Sequence, residues 1–195
     1  MLNIVHGLGS EAGDALVNHP RVKAVSFTGG TATGARIAAA VAPKFKKLSL
    51  ELGGKNSAIV CADADMALAA ECVADGMCLT AGQRCNATSR VLVEKKIAGD
   101  FLEHLLASVS RYCPGDILEE TTMLGPLISF GARERYERLV SLDAGEWILP
   151  GGILEKNSCE QHGYWVLPAI AVVSDSSELD RSPLAMDEAF APILV

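Results

Sequence analysis

A cysteine and a glutamate in two distinct contexts point to nucleophilic and acid–base chemistry. Cys85 lies in the polar segment GQRC after a predicted helix, where the neighbouring Arg84 favours a thiolate. Glu51 lies in LELGG at the predicted end of a strand, where partial burial between leucines suits a general base. Each residue alone is also compatible with a structural role, because most cysteines are structural and many strand-end carboxylates are solvated.

Two glycine-rich segments have the spacing of phosphate-binding loops. The segment GLGSEA, which begins at Gly7, fits the GxGxxG/A pattern between a predicted strand and a helix. No acidic residue ends the following strand to hold a ribose, so a plain strand-to-helix turn stays open as an alternative. The second segment, Gly29–Gly34, has the form GxxxxG and places free helix amides where a diphosphate would bind. Ala35 and Arg36 follow it instead of the Lys-Ser/Thr of a P-loop, which disfavours a nucleoside triphosphate with magnesium.

The first 60 residues contain the elements that must position these groups. Short apolar runs predict four strands, at Leu2–Val5, Val22–Phe27, Lys47–Leu52 and Ser57–Cys61. Between them we predict a helix from Ser10, as its N-cap, to about Asn18, and an alanine-rich helix that ends near Pro43. Strand and helix alternate as in a parallel sheet covered by helices, so the predicted fold class is α/β.

The rest of the chain contains a second series of predicted elements. In order, these are a helix to about Leu79 capped by Asp63 or Asp65, a strand over Arg90–Val93, an amphipathic helix from Asp100, and a helix from Ser129 to about Leu142. The residues after Gly151 are predicted to be extended and turn-rich. The alternation starts abruptly at residue 2 and stops inside an apolar run at Val195, so we expect a chain that is cut at both ends.

Charge, hydropathy and cysteine spacing exclude several classes of protein. The 195-residue chain has a net charge of −7 and no basic run, which disfavours a nucleic-acid partner. It has no apolar stretch of the ~18 residues that a membrane span needs and no secretion signal at its start. Its six cysteines contain no CxxC pair and its four histidines stand apart, so we predict no metal site. We expect a cytoplasmic protein with reduced, mostly buried thiols.

Four motifs in a fixed order resemble those of the aldehyde dehydrogenase superfamily. They are FTGGTATG, LELGGK, GQRC and DEAFAP, and Cys85 follows Glu51 by 34 residues. The last motif is similar to the ExFGP motif of that family, with Ala191 in place of its usual glycine. The resemblance covers essentially the whole chain, which is identified on this basis as a member of the superfamily.

The resemblance implies catalytic roles for Cys85 and Glu51. Cys85 corresponds to the nucleophile that attacks an aldehyde to form a thiohemiacetal, and its backbone amide to half of the oxyanion hole. Glu51 corresponds to the base that activates water to hydrolyse the resulting thioester. Family members that transfer the acyl group to coenzyme A generally lack this base. The resemblance therefore implies oxidation of an aldehyde to a carboxylate, with NAD or NADP as the hydride acceptor.

The resemblance also implies which residues bind NAD or NADP. The corresponding residues are Gly29 and Gly30 at the diphosphate, Gly9 and Ser10 at the adenine, Leu52 at the nicotinamide, and Glu188 and Phe190 at the nicotinamide ribose. Ala191 in place of glycine is expected to crowd a turn near this cofactor.

The family's fold implies a chain in two parts. Residues 1–52 correspond to the C-terminal part of a Rossmann-like dinucleotide-binding domain, and residues 53–195 to a three-layer α/β/α catalytic domain with parallel sheets, truncated at its C-terminus. By this resemblance we expect the chain to lack the upstream half of the cofactor domain, and with it the asparagine that completes the oxyanion hole and the lysine at the adenosine ribose. The whole enzyme is expected to be a homo-oligomer that acts on a small aldehyde, without a nucleic-acid or membrane partner.

The substrate and the catalytic competence of the chain leave alternatives open. TAGQRC together with GPLIS resembles the succinylglutamate-semialdehyde dehydrogenases, and Arg84 would favour an acidic aldehyde, although GQRC also occurs in other branches of the family. The main alternative is a non-catalytic remnant that folds or binds a partner without turnover. A cysteine hydrolase is a weaker alternative, because no histidine falls in a recognisable Cys-His motif.

Overall fold

Two α/β units follow one another along the chain, the first over Met1–Gly53 and the second over Gly54–Val195. The structure is a computed structural model that describes residues 1–143, 145–154, 163–173 and 182–195. Parallel strand pairs occur in both units, which confirms the predicted α/β class.

The first unit has a two-stranded parallel sheet flanked by short helices. Its elements are a π-helical turn at Gly9–Gly13, α1 at Asp14–Asn18, β1 at Ala24–Gly29, α2 at Thr31–Val41, a 3₁₀ turn at Ala42–Lys44 and β2 at Lys47–Leu52. The two strands pair in register from Ala24 opposite Lys47 to Gly29 opposite Leu52. Alternate residues of both strands face the helices, where they pack against three buried side chains, Val17, Ile37 and Val41.

Two predicted features of the first unit are wrong. Leu2–Val5 is not a strand: it has no strand partner among the described residues and its apolar side chains are exposed, so no ladder can stabilise it. Ser10 is not an N-cap but lies inside the π-helical turn. The carbonyl of Leu8 instead accepts the N–H groups of Glu11, Ala12 and Gly13, at 3.0, 3.0 and 3.4 Å.

The second unit contains one parallel strand pair and one mixed sheet. Its strands are β3 at Asn56–Val60, β4 at Thr88–Val93, β5 at Glu146–Leu154, β6 at Trp165–Val172 and β7 at Ile193–Leu194. β3 and β4 are parallel, β5 and β6 are antiparallel, and β7 is parallel to β6. The Val91 N–H donates to the Val195 carbonyl at 2.8 Å and the Val195 N–H to the Ser89 carbonyl at 3.3 Å. These bonds join β4 to the chain that follows β7.

Helices cover these strands and close the core of the second unit. They are α3 at Met66–Cys78, α4 at Ala98–Val109, α5 at Phe130–Val140 and α6 at Pro183–Met186, with 3₁₀ turns at Leu79–Gly82 and Lys95–Ile97. Asp65 caps α3, because its carboxylate accepts the Leu68 N–H at 3.1 Å, and Ser129 caps α5 in the same way. The helix start predicted at Asp100 is wrong, since α4 begins at Ala98 without a side-chain cap.

The antiparallel β5–β6 pair was not anticipated from the sequence. Most residues of β6 are buried, so its sequence lacks the apolar–polar alternation that identifies a half-buried strand. β5 contains Pro150, Gly151 and Gly152, which are typical of turns. Because of these two features, the local sequence does not predict the strand pair, which is defined by contacts between residues far apart in the sequence.

Most of the described cysteines are exposed, which corrects the expectation of buried thiols. Cys61, Cys72, Cys85 and Cys113 are exposed free thiols, and among the described cysteines Cys78 alone is buried. The small apolar neighbours of these residues misled the prediction, because a helix or strand also carries such residues on its outer face. Cys159 and His162 lie outside the described residues.

Within the described ranges, no helix is both long and apolar enough to cross a membrane. The same ranges contain no cluster of three or more histidine, cysteine or acidic side chains that could hold a metal ion.

Candidate active site

Cys85 lies on an exposed turn that follows an unusual backbone segment. Thr80, Ala81 and Gly82 have φ angles of 58°, 53° and 67°, so three consecutive residues adopt the left-handed conformation. This conformation costs a non-glycine residue on the order of 1–3 kcal/mol, and it persists only where the surroundings fix it. The turn that carries Cys85, residues 83–87, is therefore held by its contacts.

Gly82 brings this Cys85 turn against the DEAFAP motif. A Cβ atom on Gly82 would lie 2.5 Å from the carbonyl carbon and oxygen of Ala191 and 2.9 Å from the nitrogen of Pro192. Backbone atoms cannot give way at such distances, so glycine is required at this position. Two motifs more than 100 residues apart in sequence thus meet at one place in the second unit.

Gln83 connects the Cys85 turn to the GPLIS segment. Its Oε1 accepts the Ile128 N–H at 2.8 Å, and its Nε2 donates to the carbonyls of Thr80 at 3.1 Å and Pro126 at 3.4 Å. One amide side chain therefore satisfies three backbone groups in irregular segments. From the sequence alone, Gln83 stands out only as part of the GQRC motif.

Asn56 holds the backbone of Cys85 itself. Its Nδ2 donates to the Cys85 carbonyl at 2.6 Å and to the Ala87 carbonyl at 3.3 Å. Its own carbonyl accepts the Ser89 hydroxyl at 3.3 Å. Asn56 is the first residue of β3 and directly follows LELGGK, so the start of β3 holds the backbone of the Cys85 turn. The sequence analysis missed this residue, and the one available signal was an amide side chain at the start of a strand.

Glu188 and Phe190 lie in the same segment that contacts Gly82. The Gly54 N–H donates to Glu188 Oε1 at 3.2 Å, which places this carboxylate at the approach to β3. Phe190 has a φ of 52°, whereas Ala191 is not in the left-handed region. Ala191 therefore has a backbone conformation that any residue adopts, and the left-handed residue of this turn is Phe190.

In the first unit, Gly29, Gly30 and Leu52 meet at the carboxyl edge of the sheet. Gly29 ends β1 opposite Leu52 of β2, and Gly30 is the N-cap of the 11-residue helix α2. A Cβ atom on Gly30 would meet nothing within 4 Å, so the space in front of the helix amides is open. A Cβ on Gly34 would lie 2.7 Å from Leu52 Cδ2, which shows how closely α2 packs on β2. This edge suits a diphosphate at a helix N-terminus.

Gly9 and Ser10 line a cavity of about 590 Å³ in the first unit. Its other lining residues include Val25, Phe27, Thr33, Arg36 and Ile37. Apolar side chains dominate the walls, with a polar rim where Arg36 forms an ion pair with Asp14 at 3.7 Å. Such a cavity suits a flat, largely apolar ring such as adenine.

Glu51 is exposed at the end of β2, opposite Thr28 of β1. The partial burial expected from its leucine neighbours is not found, because Leu50 and Leu52 face the interior of the first unit while Glu51 points to the other side of the strand.

Lys55 is a titratable group of the site that the sequence analysis did not single out. Its Nζ is buried and has no hydrogen-bond partner among the described residues. Burial, with a smaller contribution from the positive charge of Arg90, lowers the pKa of Lys55 to about 8, and the carboxylates of Asp187 and Glu188 partly oppose this shift.

The amino-acid sequence of the chain is similar to those of known proteins. The model of the aldehyde dehydrogenase family matches residues 1–195. The peroxisomal aminoaldehyde dehydrogenase 1 of Malus domestica is 39% identical over 197 residues, which cover 100% of this chain and 38% of that protein. The chloroplastic betaine aldehyde dehydrogenase of Amaranthus hypochondriacus is 40% identical with the same coverage. The chain thus spans 38% of the length of these curated relatives.

Comparison with solved structures gives the same family. A betaine aldehyde dehydrogenase from Staphylococcus aureus in complex with NAD+ has a TM-score of 0.86 and 32% identity, over 96% of this chain and 37% of that one. HpcC from Thermus thermophilus has a TM-score of 0.85 and 34% identity, over 98% of this chain and 37% of that one.

These relatives correct two finer expectations. The expectation of a cytoplasmic protein is wrong by this comparison, because the similar relatives are named as peroxisomal or chloroplastic enzymes. Reduced thiols report on redox conditions, which several compartments share, so they could not identify one. The resemblance to succinylglutamate-semialdehyde dehydrogenases is not confirmed, since these relatives are named for aminoaldehydes and betaine aldehyde.

Proposed function

The chain belongs to the aldehyde dehydrogenase family, and on this premise we propose that it supplies the nucleophile and the general base for oxidation of an aldehyde to a carboxylate. The observation that supports this most directly is the exposed Cys85 thiol on a turn that Asn56 and Gln83 fix to neighbouring segments. Residues 1–52 serve as part of the dinucleotide-binding domain in this proposal, and residues 53–195 as the catalytic domain.

Cys85 begins the proposed reaction. Its thiolate adds to the carbonyl carbon of the aldehyde, and the backbone N–H of Cys85 stabilises the negative charge that develops on the carbonyl oxygen. Bound NAD or NADP would supply the hydride acceptor, and with the loss of hydride from its carbon the thiohemiacetal would become a thioester on the Cys85 sulfur. Because Asn56 binds the Cys85 carbonyl, the backbone that carries the thiolate and the amide stays fixed during these steps.

Glu51 completes the proposed reaction. Its carboxylate takes a proton from water as the water attacks the thioester, and the Cys85 thiolate leaves as the carboxylate product forms. The exposed position of Glu51 gives it access to solvent water. Hydrolysis, rather than acyl transfer to coenzyme A, is the proposed fate of the thioester.

The proposed cofactor site uses the residues that the family resemblance implies. The cavity beside Gly9 and Ser10 would hold the adenine, and the open N-terminus of α2 at Gly30, next to Gly29, would bind the diphosphate. The Leu52 carbonyl would meet the nicotinamide, and Glu188 and Phe190 its ribose. NAD+ in the structural neighbour supports NAD as the first cofactor to test, with NADP as the alternative.

The proposed substrate is a small aldehyde. Aminoaldehydes and betaine aldehyde are the first compounds to assay, because similar relatives are named for them. We further propose that the enzyme is a homo-oligomer. Nucleic acid and membranes are not proposed as partners, given the net charge of −7 and the absence of a basic run.

A pair of variants tests this proposal in an enzyme preparation that contains the chain. Glu51→Gln is expected to keep a burst of about one NAD(P)H per active site and then to slow roughly 10²–10⁴-fold, because thioester hydrolysis loses its base. Cys85→Ala is expected to abolish the burst, because no thiohemiacetal forms. Rapid-mixing measurement of NAD(P)H, with mass spectrometry of the acylated Cys85 peptide, checks both. Turnover of Glu51→Gln at the parent rate, or a burst in Cys85→Ala, would contradict the assignments.

A further inference from the structure

The buried amine of Lys55 lacks the hydrogen bonds that such a group normally makes. Lys55 ends the LELGGK motif directly before β3, and no described residue accepts a bond from its Nζ. A buried amine without a partner destabilises a fold, and an apolar side chain of similar length would avoid the cost. A role in ordering nearby charges would explain why the fold keeps an amine here.

The charges that face Lys55 come from β4 and from the segment after α6. Arg90 on β4 repels the amine, while Asp187 and Glu188 attract it. Arg90 is itself engaged, because its Nε donates to the Ser57 hydroxyl at 2.8 Å and its Nη1 to the Ala185 carbonyl at 3.4 Å.

Asp187 and Glu188 form no ion pair of their own within the described residues. They line a cavity of about 400 Å³ together with Arg135 and Arg138 of α5, but no nitrogen of these arginines comes within ion-pair distance of them. Lys55 Nζ also lies beyond ion-pair distance of both carboxylates, but it is buried whereas Arg135 and Arg138 are exposed, so solvent screens its charge least.

Of the two acids, Glu188 makes a hydrogen bond to the backbone. Its Oε1 accepts the N–H of Gly54, the residue immediately before Lys55, at 3.2 Å. The Gly54 amide therefore binds the acidic segment directly, and the charge of the adjacent Lys55 attracts the same segment without a hydrogen bond. A single neutral hydrogen bond fixes a flexible carboxylate weakly, and a nearby positive charge strengthens such an arrangement.

We propose that Lys55 is a positioning residue whose buried ammonium group holds the carboxylates of Asp187 and Glu188 against the start of β3. Loss of the positive charge releases Glu188 from the Gly54 amide. For catalysis the inference rests on the proposed function, in which Glu188 contacts the nicotinamide ribose: cofactor binding should then depend on the charge of Lys55.

The proposed positioning of the two carboxylates depends on pH near neutrality. The pKa of Lys55 is lowered to about 8, first by burial and then by Arg90, so its charge disappears as the pH rises through that value. The charged groups that face Lys55 are Arg90 on β4 and Asp187 and Glu188 after α6. The attraction on Asp187 and Glu188 is thus present at pH 7 and absent at pH 9.5.

Hydrogen exchange of the Gly54 amide tests the positioning role in the intact chain without any ligand. At pH 7, Lys55→Met is expected to speed this exchange by about threefold or more, whereas the charge-conserving Lys55→Arg stays within about twofold of the parent. The Val91 amide, bonded to the Val195 carbonyl, serves as the control for intact folding. An unchanged Gly54 rate in folded Lys55→Met would overturn the inference.

A pH titration of the parent chain gives a second test that needs no destabilising variant. Protection of the Gly54 amide, corrected for intrinsic exchange, should fall between pH 7 and pH 9.5 in the parent and stay level in Lys55→Arg. A level profile in the parent would overturn the inference.

Calorimetric titration with NAD+ separates this inference from the proposed function. Lys55→Met is expected to weaken NAD+ binding by about tenfold at pH 7 and Lys55→Arg by much less. If the Gly54 amide responds while even the parent fails to bind NAD+, the proposed function fails and the positioning role stands. If NAD+ binds parent and Lys55→Met equally, the link to the cofactor is overturned.

Discussion

At the scale of single residues, exposure does not distinguish Cys85 from several other thiols. Cys61, Cys72 and Cys113 are exposed as well, so accessibility alone gives them similar access to reagents. What separates Cys85 is its backbone, which Asn56 binds directly in a turn that packs against the DEAFAP segment. Fixed geometry of this kind is what a nucleophile requires.

Selective alkylation is the first prediction at this scale. With limiting iodoacetamide, we expect Cys85 to be labelled before Cys61 and Cys72, because it alone combines exposure with the polar GQRC turn and a neighbouring arginine. Cys78 should be labelled last, since burial raises its pKa to about 12 and removes its thiolate. Peptide mapping by mass spectrometry gives the order. Faster labelling of Cys61 or Cys72 would argue against an activated nucleophile.

The buried Lys55 gives a pH-dependence of stability with a definite sign. Its pKa is about 8 in the folded chain and near 10.5 when unfolded, so between these values the unfolded state binds more protons and stability rises with pH. Below pH 8 both states are protonated and the cost of burying the charge is complete. We expect Lys55→Met to stabilise the chain at pH 7 by on the order of 1–3 kcal/mol and to lose this advantage by pH 10.5.

Denaturant unfolding of the parent and Lys55→Met at several pH values measures the difference between their free energies of unfolding. The titration of the other lysines contributes equally to both chains and cancels in this difference. Lys55→Arg is the matched control, because it keeps a buried charge throughout and should gain no stability near pH 9. A Lys55→Met chain less stable than its parent at pH 7 would show that the attraction between Lys55 and the two carboxylates outweighs the cost of burying its charge.

The same residues show how far sequence reasoning reaches into the site. Cys85 and Glu51 could be named because their motifs are local, as could the glycines at the end of β1. The contacts of Asn56 and Gln83 could not, because their partners lie 29 and 45 residues away and depend on the completed fold. The assignments of catalytic and cofactor-binding residues stay predictions until the variants are measured.

At the scale of elements, the local hydrophobic pattern predicted the strands and helices whose own residues mark a buried face. β2 matches the predicted Lys47–Leu52, because alternating leucines mark its buried face. Leu2–Val5 has the composition of a strand but no partner among the described residues, and β5 and β6 are strands only through each other. Strands could therefore be predicted from the sequence where one face is buried against a helix. The prediction failed where a segment is a strand only because it pairs with another strand.

Tyr136 of α5 joins β5 to β6, and its hydroxyl gives the prediction at this scale. The hydroxyl donates to the Leu167 carbonyl at 2.6 Å and accepts the Gly152 N–H at 2.8 Å. Tyr136→Phe leaves both backbone groups unsatisfied in a buried position, so we expect a loss of about 1–3 kcal/mol in the free energy of unfolding.

Tyr164→Phe is the matched control for that measurement. It keeps the ring that packs edge-on against Phe130, and its hydroxyl has no hydrogen-bond partner among the described residues. Chemical denaturation should show a small change for this variant. Equal losses for both variants would mean that the ring environment, and not the Tyr136 hydroxyl, determines the effect.

At the scale of the whole molecule, the two units differ in how much core each possesses. The first unit has three buried core residues, Val17, Ile37 and Val41, beneath a two-stranded sheet. The second unit has a continuous buried cluster that extends from Val60 to Val195 and draws on both of its sheets. A two-stranded sheet with so small a core is marginally stable, whereas three or more strands on a helical layer are self-supporting.

Backbone hydrogen exchange on the intact chain should therefore divide at the boundary between Met1–Gly53 and Gly54–Val195. We expect β1 and β2 amides to exchange through local opening at least about tenfold faster than those of β6, after correction for intrinsic rates. Ile37→Ala should speed exchange across the first unit while leaving β6 unchanged, because Ile37 belongs only to the smaller core. The matched change Leu105→Ala in α4 should act on the second unit instead. Equal protection of β1 and β6 in the parent would show that the first unit gains its stability from more than its own core.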